Sequence, residues 1–365
     1  MAGHHFIKAP ALLTAVLVVI STTIALGLGE GVVRLLEVPP AVARIALGDP
    51  ESPLQVSENP LQGYELKAGF SDPARPGFHT NSHGLRGSER VTPKPRGVFR
   101  IGLSGDSVVE GLGLRDTYTI AALLEDLLKG KGVEVINAGV RGYNTQAEVE
   151  LLRSRVLPYE PDLVIVVFVR NDHHSLSRHT GVAWDYVRPR WAEILFIHSH
   201  LFRSVAFHLN WFRFREDLDP GYLDEKLGRA QGRDNVSAAF DELARLSADH
   251  GFRTVVVVWP NFGRTIKDPR GLMEPGSDRM RVERLAARHE IPVFRLREPF
   301  ARDYARRGDP GPTPRKLYTV DGMHPNREGA RVAAAILQRL IEEQGLLDRH
   351  APSATDPLAF VDGGP

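Results

Sequence analysis

Hydrophobic positions follow three patterns along the chain. An uninterrupted apolar run opens it: no charged residue occurs from Ala9 to Gly29, and Ala11 to Leu28 is mostly Ala, Leu, Val and Ile. From Val98 onward, short apolar blocks alternate with segments in which Leu, Ile and Ala recur at helical spacing. The blocks predict strands at Val98–Leu103, Val133–Asn137, Leu163–Val169, Thr254–Trp259 and 292–296. The spaced segments predict helices at Thr117–Leu128, Thr145–Val156, Val236–Asp249, 278–289 and Arg327–Glu343. The strand blocks Leu163–Val169 and Thr254–Trp259 lack period-two alternation, as expected of strands covered on both faces. Strand alternating with helix therefore predicts an α/β fold: a three-layer α/β/α sandwich around a central parallel sheet.

The opening run is long enough to cross a bilayer, for which about 20 apolar residues suffice. It predicts one N-terminal transmembrane helix, with Lys8 on its short side and Glu30 on the other. A lysine before the run favours a cytoplasmic N-terminus and a translocated remainder. A cleaved signal peptide is the alternative, since Ala25 and Gly27 are small enough for a cleavage site. The apolar continuation from Gly31 to Leu36 favours an anchor. The chain then divides into a membrane anchor at 1–36, a Pro-, Gly- and Ser-rich linker and packing segment at 37–96, a catalytic domain at 97–348 and a tail at 349–365. Within the linker, Asn81-Ser-His-Gly-Leu-Arg-Gly87 predicts tight turns able to pack on the domain.

One stretch breaks the rhythm. Residues 173–235 separate two predicted strands by more than a crossover needs, and carry Trp184, Tyr186, Trp191, Phe196, Phe202, Phe207, Trp211, Phe212 and Phe214. Such an insertion beside a strand end forms a lid or substrate wall, or its helices pack their aromatics into the core. Arginines at 188, 190, 203, 213 and 215 would also suit a membrane surface.

Charge and composition narrow the function. Lys and Arg total 46 against 45 Asp and Glu, without a basic block, so no nucleic-acid partner is expected. There is no cysteine, which excludes disulfides, thiolate metal sites and a thiol nucleophile. No phosphate-loop or dinucleotide motif occurs, and Gly111-Leu-Gly113 lacks the third glycine; no cofactor is expected. His173 and His174 are adjacent and have no partner at metal-ligand spacing, so no metal is expected either.

Candidate chemistry lies at strand ends. Gly105-Asp-Ser107 follows the first strand, at the edge of a parallel sheet where ligands bind. A serine hydroxyl needs a base and an oxyanion site to act as nucleophile. Asn137-Ala-Gly-Val-Arg-Gly142 follows the second strand, Asn171-Asp172 the third, and Asp321-Gly-Met-His324 precedes the last helix. Pro325 disfavours helical geometry at His324, which puts the imidazole on a loop with Asp321 in reach of its N–H. Asp172 competes with Asp321 as partner of the histidine, and Asp106 is expected to hold its loop by hydrogen bonds.

These four blocks, in this order from about 98 to 344, resemble the SGNH or GDSL-type hydrolase family. The resemblance implies that Ser107 is the nucleophile, His324 the general base and Asp321 its partner. It implies an oxyanion hole of the Ser107 and Gly142 N–H groups with the Asn171 side chain, Gly142 fitting the family spacing better than Gly139. The chain departs from the family at Arg170, where glycine often precedes Asn-Asp. The expected function is a serine esterase acting outside the cytoplasm on acyl or acetyl esters of a carbohydrate or lipid. An O-acyltransferase acting on a cell-envelope polysaccharide with the same triad is the second reading, and a catalytically inactive binding module the third.

Overall fold

The computed structural model describes residues 8–36, 51–59, 61–169, 172, 188–215, 235–262, 277–308 and 311–348. The apolar run forms one helix, α1 (Lys8–Leu35). Its stretch Leu13–Leu35 is long and apolar enough to cross a membrane, and its apolar window is not buried in the rest of the protein. A short antiparallel pair, β1 (Leu54–Val56) and β2 (Tyr64–Leu66), comes next.

Five parallel strands form the sheet: β3 (Phe99–Gly105), β4 (Val133–Gly139), β5 (Leu163–Phe168), β6 (Arg253–Val258) and β7 (Val293–Arg295). Their order across the sheet is β4-β3-β5-β6-β7. All five lie where periodicity predicts them, within two residues at each end. Every residue of β3 and β5 is buried, because the sheet is covered on both sides.

Two separate cores show this. On one face Ile101, Leu103, Ile165 and Val257 pack under α3 (Ile120–Leu128) and the final helix through Leu124, Leu337 and Leu340. On the other face Ile136, Val164, Val166 and Val256 pack against Val149, Phe240, Leu243 and Val282. Those residues belong to α4 (Thr145–Leu151), α7 (Asn235–His250) and α8 (Ser277–Ala287). Alternate residues of one strand thus feed opposite cores, and three layers result.

Two helices depart from expectation. The helix predicted from Thr117 begins at Ile120, because Thr119 caps it by accepting from Ala122 N–H at 3.2 Å. The helix predicted to Val156 is α-helical only to Leu151 and continues as a π-turn over Leu152–Val156. The final helix spans Arg327–Glu343, as the pattern predicts.

Residues 51–98, described save for residue 60, are folded onto the domain. Asn81 closes the predicted turns by accepting from His83 and Leu85 N–H. The Arg86 side chain is buried against the loop after the first sheet strand. Of the insertion, residues 188–215 form α5 (Arg190–His198), α6 (His200–His208) and a turn at Trp211–Arg213. Their aromatics do not join either main core; Ala192, Phe196, Ala206 and Phe214 form a third, smaller cluster. Trp184 and Tyr186 lie outside the described residues.

Candidate active site

The carboxyl end of β3 runs straight into a four-residue helix, α2 (Ser107–Glu110). Asp106 caps it, its carboxylate accepting from Val108 N–H at 2.9 Å. Ser107 is the first helical residue, where a backbone N–H has no intrahelical acceptor. α2 lies so close to β4 that a Cβ on Gly139 would come within 2.0 Å of the Glu110 nitrogen. Only glycine allows that approach. Asn137 completes the junction, donating to Val109 O at 2.9 Å and accepting from Gly139 N–H at 3.0 Å.

The Gly139 N–H is therefore occupied. Gly142, three residues on, sits at φ 77° in a turn closed by Tyr143 N–H to Val140 O, a left-handed position that favours glycine. Between the two glycines, Arg141 is locked to Glu110. Its N–H donates to Glu110 Oε2 at 2.6 Å and its guanidinium forks onto both carboxylate oxygens. The Glu110 side chain is fully buried, so this pair ties the nucleophile helix to the glycine loop in a low-dielectric setting. Despite its own burial, the Arg141 guanidinium is held above its ordinary range by Glu110.

A second arginine closes the other end of α2. Arg86 donates to the carbonyls of Glu110, Gly111 and Leu114 and pairs with Asp116 Oδ1 at 2.9 Å. The Glu110 carbonyl ends the helix, and those of Gly111 and Leu114 belong to the turn that follows it. Glu110, Arg141 and Arg86 were not singled out from sequence, although Arg86 and Arg141 stand inside the two glycine blocks that were. Their partners are 24 to 31 residues away, so no local pattern marks them.

The histidine arrives from the opposite direction. A loop from Thr319 to Asn326 joins α10 (Pro314–Tyr318) to α11 (Arg327–Glu343). It is pinned to the end of β6 by Trp259 Nε1 donating to Met323 O at 2.9 Å and Phe262 N–H to Gly322 O at 3.1 Å. Asn326 caps α11, accepting from Gly329 N–H, so His324 is on a loop as Pro325 predicts.

These elements bring Ser107 Oγ to 2.9 Å from His324 Nε2, and His324 Nδ1 to 2.6 Å from Asp321 Oδ2. The serine is 217 positions from the histidine in sequence. Ser107 Oγ is farther from Asp106, at 3.4 Å. Asp321 also accepts the backbone N–H groups of Met323 and His324 at 2.9 Å each. Partial burial would raise the Asp321 carboxyl, but the bonds from the His324 ring, His324 N–H and Met323 N–H outweigh it and hold the group below its usual range. It is an anion beside the imidazole at any pH near neutral.

Asp172 does not compete for the histidine. Its carboxylate accepts from Val169 N–H at 2.9 Å, and burial with the neighbouring Glu148 and Asp106 pushes it well above the usual carboxylate range. Asn171 and Arg170 lie outside the described residues, as do His173 and His174. Among the described residues no group of three or more His, Asp or Glu is arranged to hold a metal ion.

Comparison with solved structures gives similarity to an acetyl xylan esterase, AlAXEase, at 17% identity and a TM-score of 0.42, over 67% of this chain and 100% of that one. A two-domain esterase (CEX) active on acetylated mannans is 14% identical, TM-score 0.43, with 72% of this chain and 54% of that one covered. The lipase/acylhydrolase from Enterococcus faecalis is 19% identical, TM-score 0.39, with 70% and 100% covered. No curated protein matches the sequence. The model of the GDSL-like Lipase/Acylhydrolase family matches residues 103–332, a stretch that opens within β3 and closes within α11. With well over half of its length matched, the chain belongs to the GDSL-like lipase/acylhydrolase family, whose chemistry is the hydrolysis of esters.

Proposed function

We propose that the protein is a serine ester hydrolase in which Ser107 is the nucleophile, His324 the general base and Asp321 the group that orients it. The observation that carries this reading is the unbroken chain of contacts from Ser107 Oγ through the imidazole to Asp321. Asp321 accepts a hydrogen bond from Nδ1–H, which fixes the tautomer that leaves Nε2 with its lone pair toward the hydroxyl. As Ser107 attacks an ester carbonyl, Nε2 accepts its proton and then returns it to the leaving alkoxide. Water, activated by the same nitrogen, releases the acyl group.

The oxyanion is assigned to the N–H groups of Ser107 and Gly142 and to the side chain of Asn171. Gly142 is preferred over Gly139 because the latter's N–H is held by Asn137. Preorganised donors of this kind are each worth about 100- to 1,000-fold in rate. The substrate is a carboxylic ester, acyl or acetyl, of a carbohydrate or a lipid.

We assign residues 1–36 to a membrane anchor, with the catalytic unit (97–348, with its insertion 173–235) on the extracytoplasmic side and 349–365 as a tail. Support for the anchor comes from the uncharged stretch Ala9–Gly29 and the lysine that precedes it. Residues 51–96 belong with the catalytic unit, since Arg86 completes α2.

The test is Ser107→Ala in the full chain. The wild type should hydrolyse short aryl esters and label with a fluorophosphonate probe; the variant should do neither while keeping its circular dichroism. Continued labelling or turnover by the variant would remove Ser107 from the mechanism.

A further inference from the structure

The end of α1 is bonded into the insertion. Glu30 accepts from Ser199 Oγ at 2.8 Å and from the N–H groups of His200 and Leu201 at 2.9 and 2.8 Å. Arg34, paired with Glu30 at 2.7 Å, donates to the His198 carbonyl at 2.7 Å. The last carbonyl of α5 and the first N–H groups of α6 are thus satisfied by one acidic and one basic side chain of α1, as a helix C-terminus and N-terminus require. The corner at Ser199 is fixed to α1 at this point.

That point has a defined depth if α1 spans a bilayer. The 21 uncharged residues from Ala9 to Gly29 extend about 31 Å as a helix, close to the roughly 30 Å of a hydrocarbon core. Glu30 and Arg34 then emerge at the headgroups, and with them the corner of α5 and α6. Each of those helices is nine residues, about 13 Å, so neither can carry its side chains far from that layer.

They carry large apolar groups on the outside. Trp191, Ile194, Leu195, Leu209, Trp211 and Phe212 are all exposed, the two tryptophans by 53% and 48%. The rings are contiguous: Trp191 lies edge-on to Phe212 at 5.4 Å and to Phe202 at 6.5 Å, and Phe202 meets Trp211 at 6.5 Å. Beneath them Phe196 and Phe214 stack at 3.8 Å, giving the patch a rigid floor. Of the three described tryptophans, Trp259 near the active site is buried, and the two exposed ones both lie in this segment. Arg190, exposed and 3.7 Å from Glu193 Oε2, adjoins Trp191 in the chain. A contiguous exposed patch marks an interaction surface, and tryptophan beside arginine suits the boundary between headgroups and acyl chains.

We propose that the α5–α6 hairpin is a membrane-interface foot, its patch of Trp191, Leu195, Leu209, Trp211 and Phe212 seated in the leaflet from which α1 emerges. The occupant is lipid and not a second protein, because the helix that crosses the membrane is hydrogen-bonded to the same hairpin. The foot holds the catalytic unit against the bilayer at a fixed height. The proposal rests on the reading of α1 as a membrane span and is independent of the chemistry assigned to Ser107.

The chain contains no cysteine, so single cysteines can be introduced for labelling. Leu195→Cys, Leu209→Cys and, as reference, Leu127→Cys on the exposed side of α3 would each carry an environment-sensitive NBD dye. The full chain is placed one copy per phosphatidylcholine nanodisc containing lipid spin-labelled near the headgroup. Quenching at 195 and 209 should exceed that at 127 by at least about threefold. Equal quenching at all three positions, in chain that resists alkaline extraction, would overturn the foot and leave the anchor standing. Chain stripped from vesicles by alkaline carbonate would overturn both. Quenching that is weak in single-copy discs, with dye emission shifting to the blue only in two-copy discs, would assign the patch to a second copy and equally overturn the proposal.

Discussion

The two halves of the candidate site are built on opposite plans. The nucleophile half is buried and held by side chains from afar: Arg86 from before the sheet, Arg141 from the next strand's loop, and Glu110 joining them. The histidine half is tied down at its backbone carbonyls by Trp259 Nε1 and Phe262 N–H, and its acid is local, Asp321 reaching only three residues along to His324. Its carboxylate is 51% exposed, and the imidazole 19%. Stability and catalysis should therefore separate between the halves. Substitutions on the histidine loop should remove activity and leave the fold alone, whereas substitutions of the arginines that hold α2 should damage both.

The sharpest break comes from His324→Ala, which removes the base. Turnover of an aryl ester should fall by about 10⁴-fold or more, with the urea midpoint unchanged. A residual rate within tenfold of wild type would take His324 out of the mechanism. Asp321→Asn is expected to cost less, about 10²- to 10⁴-fold in kcat, by favouring the wrong imidazole tautomer. Water at the exposed edge can in part replace the lost carboxylate. Because Asp321 stays ionised well below neutral pH, the loss should persist across pH 5 to 8; a loss that appears only toward the alkaline end would mean that the carboxylate is protonated over the rest of that window.

Across the site, Arg86→Met tests the other plan. It removes the buried guanidinium from the carbonyls of Glu110, Gly111 and Leu114 and from Asp116, of which Gly111 keeps Leu114 N–H and Asp116 keeps His79, and should lower stability by about 3 kcal/mol and turnover by roughly tenfold. Unchanged stability in a urea titration would show that the segment before the sheet only decorates the domain.

The same contrast explains what could be read in the sequence. Ser107, Asp321 and His324 stand in blocks whose chemistry is local: a glycine-flanked serine at a strand end, and an acid and a histidine three apart before a proline. The strands were legible because burial on both faces leaves continuous apolar runs. Arg86, Glu110 and Arg141 were not, since a charged residue shows its partner only after the chain has folded. The aromatic insertion was legible as an exception and no more. Composition separates neither a core-facing Phe196 from an outward Trp191 nor α1 from the hairpin it is bonded to.

Glu148 marks the limit of that reading and gives the smallest, most specific prediction. On sequence it is one of two glutamates in the polar-looking stretch of α4, yet it is fully buried with neither carboxylate oxygen hydrogen-bonded. Burial first, and then the charge of Asp106, pushes it well above the usual carboxylate range. Asp172 beside it is raised too but keeps one oxygen on Val169 N–H, so Glu148 is the better holder of the proton. The sign follows from proton counting. Between the unfolded carboxyl's titration and its own, the native Glu148 binds a proton that the unfolded chain has lost, so stability falls as pH rises through that window. The slope is about 1.4 kcal/mol per pH unit for one proton. Glu148→Gln carries no such proton, and any fixed cost of the amide is the same at every pH. The variant should therefore gain on the wild type as pH is raised from 5 to 8, read as urea midpoints at each pH. A difference that does not change with pH would mean that Glu148 is ionised in the folded protein, and the buried side of the nucleophile loop would then hold charge where this structure requires a neutral acid.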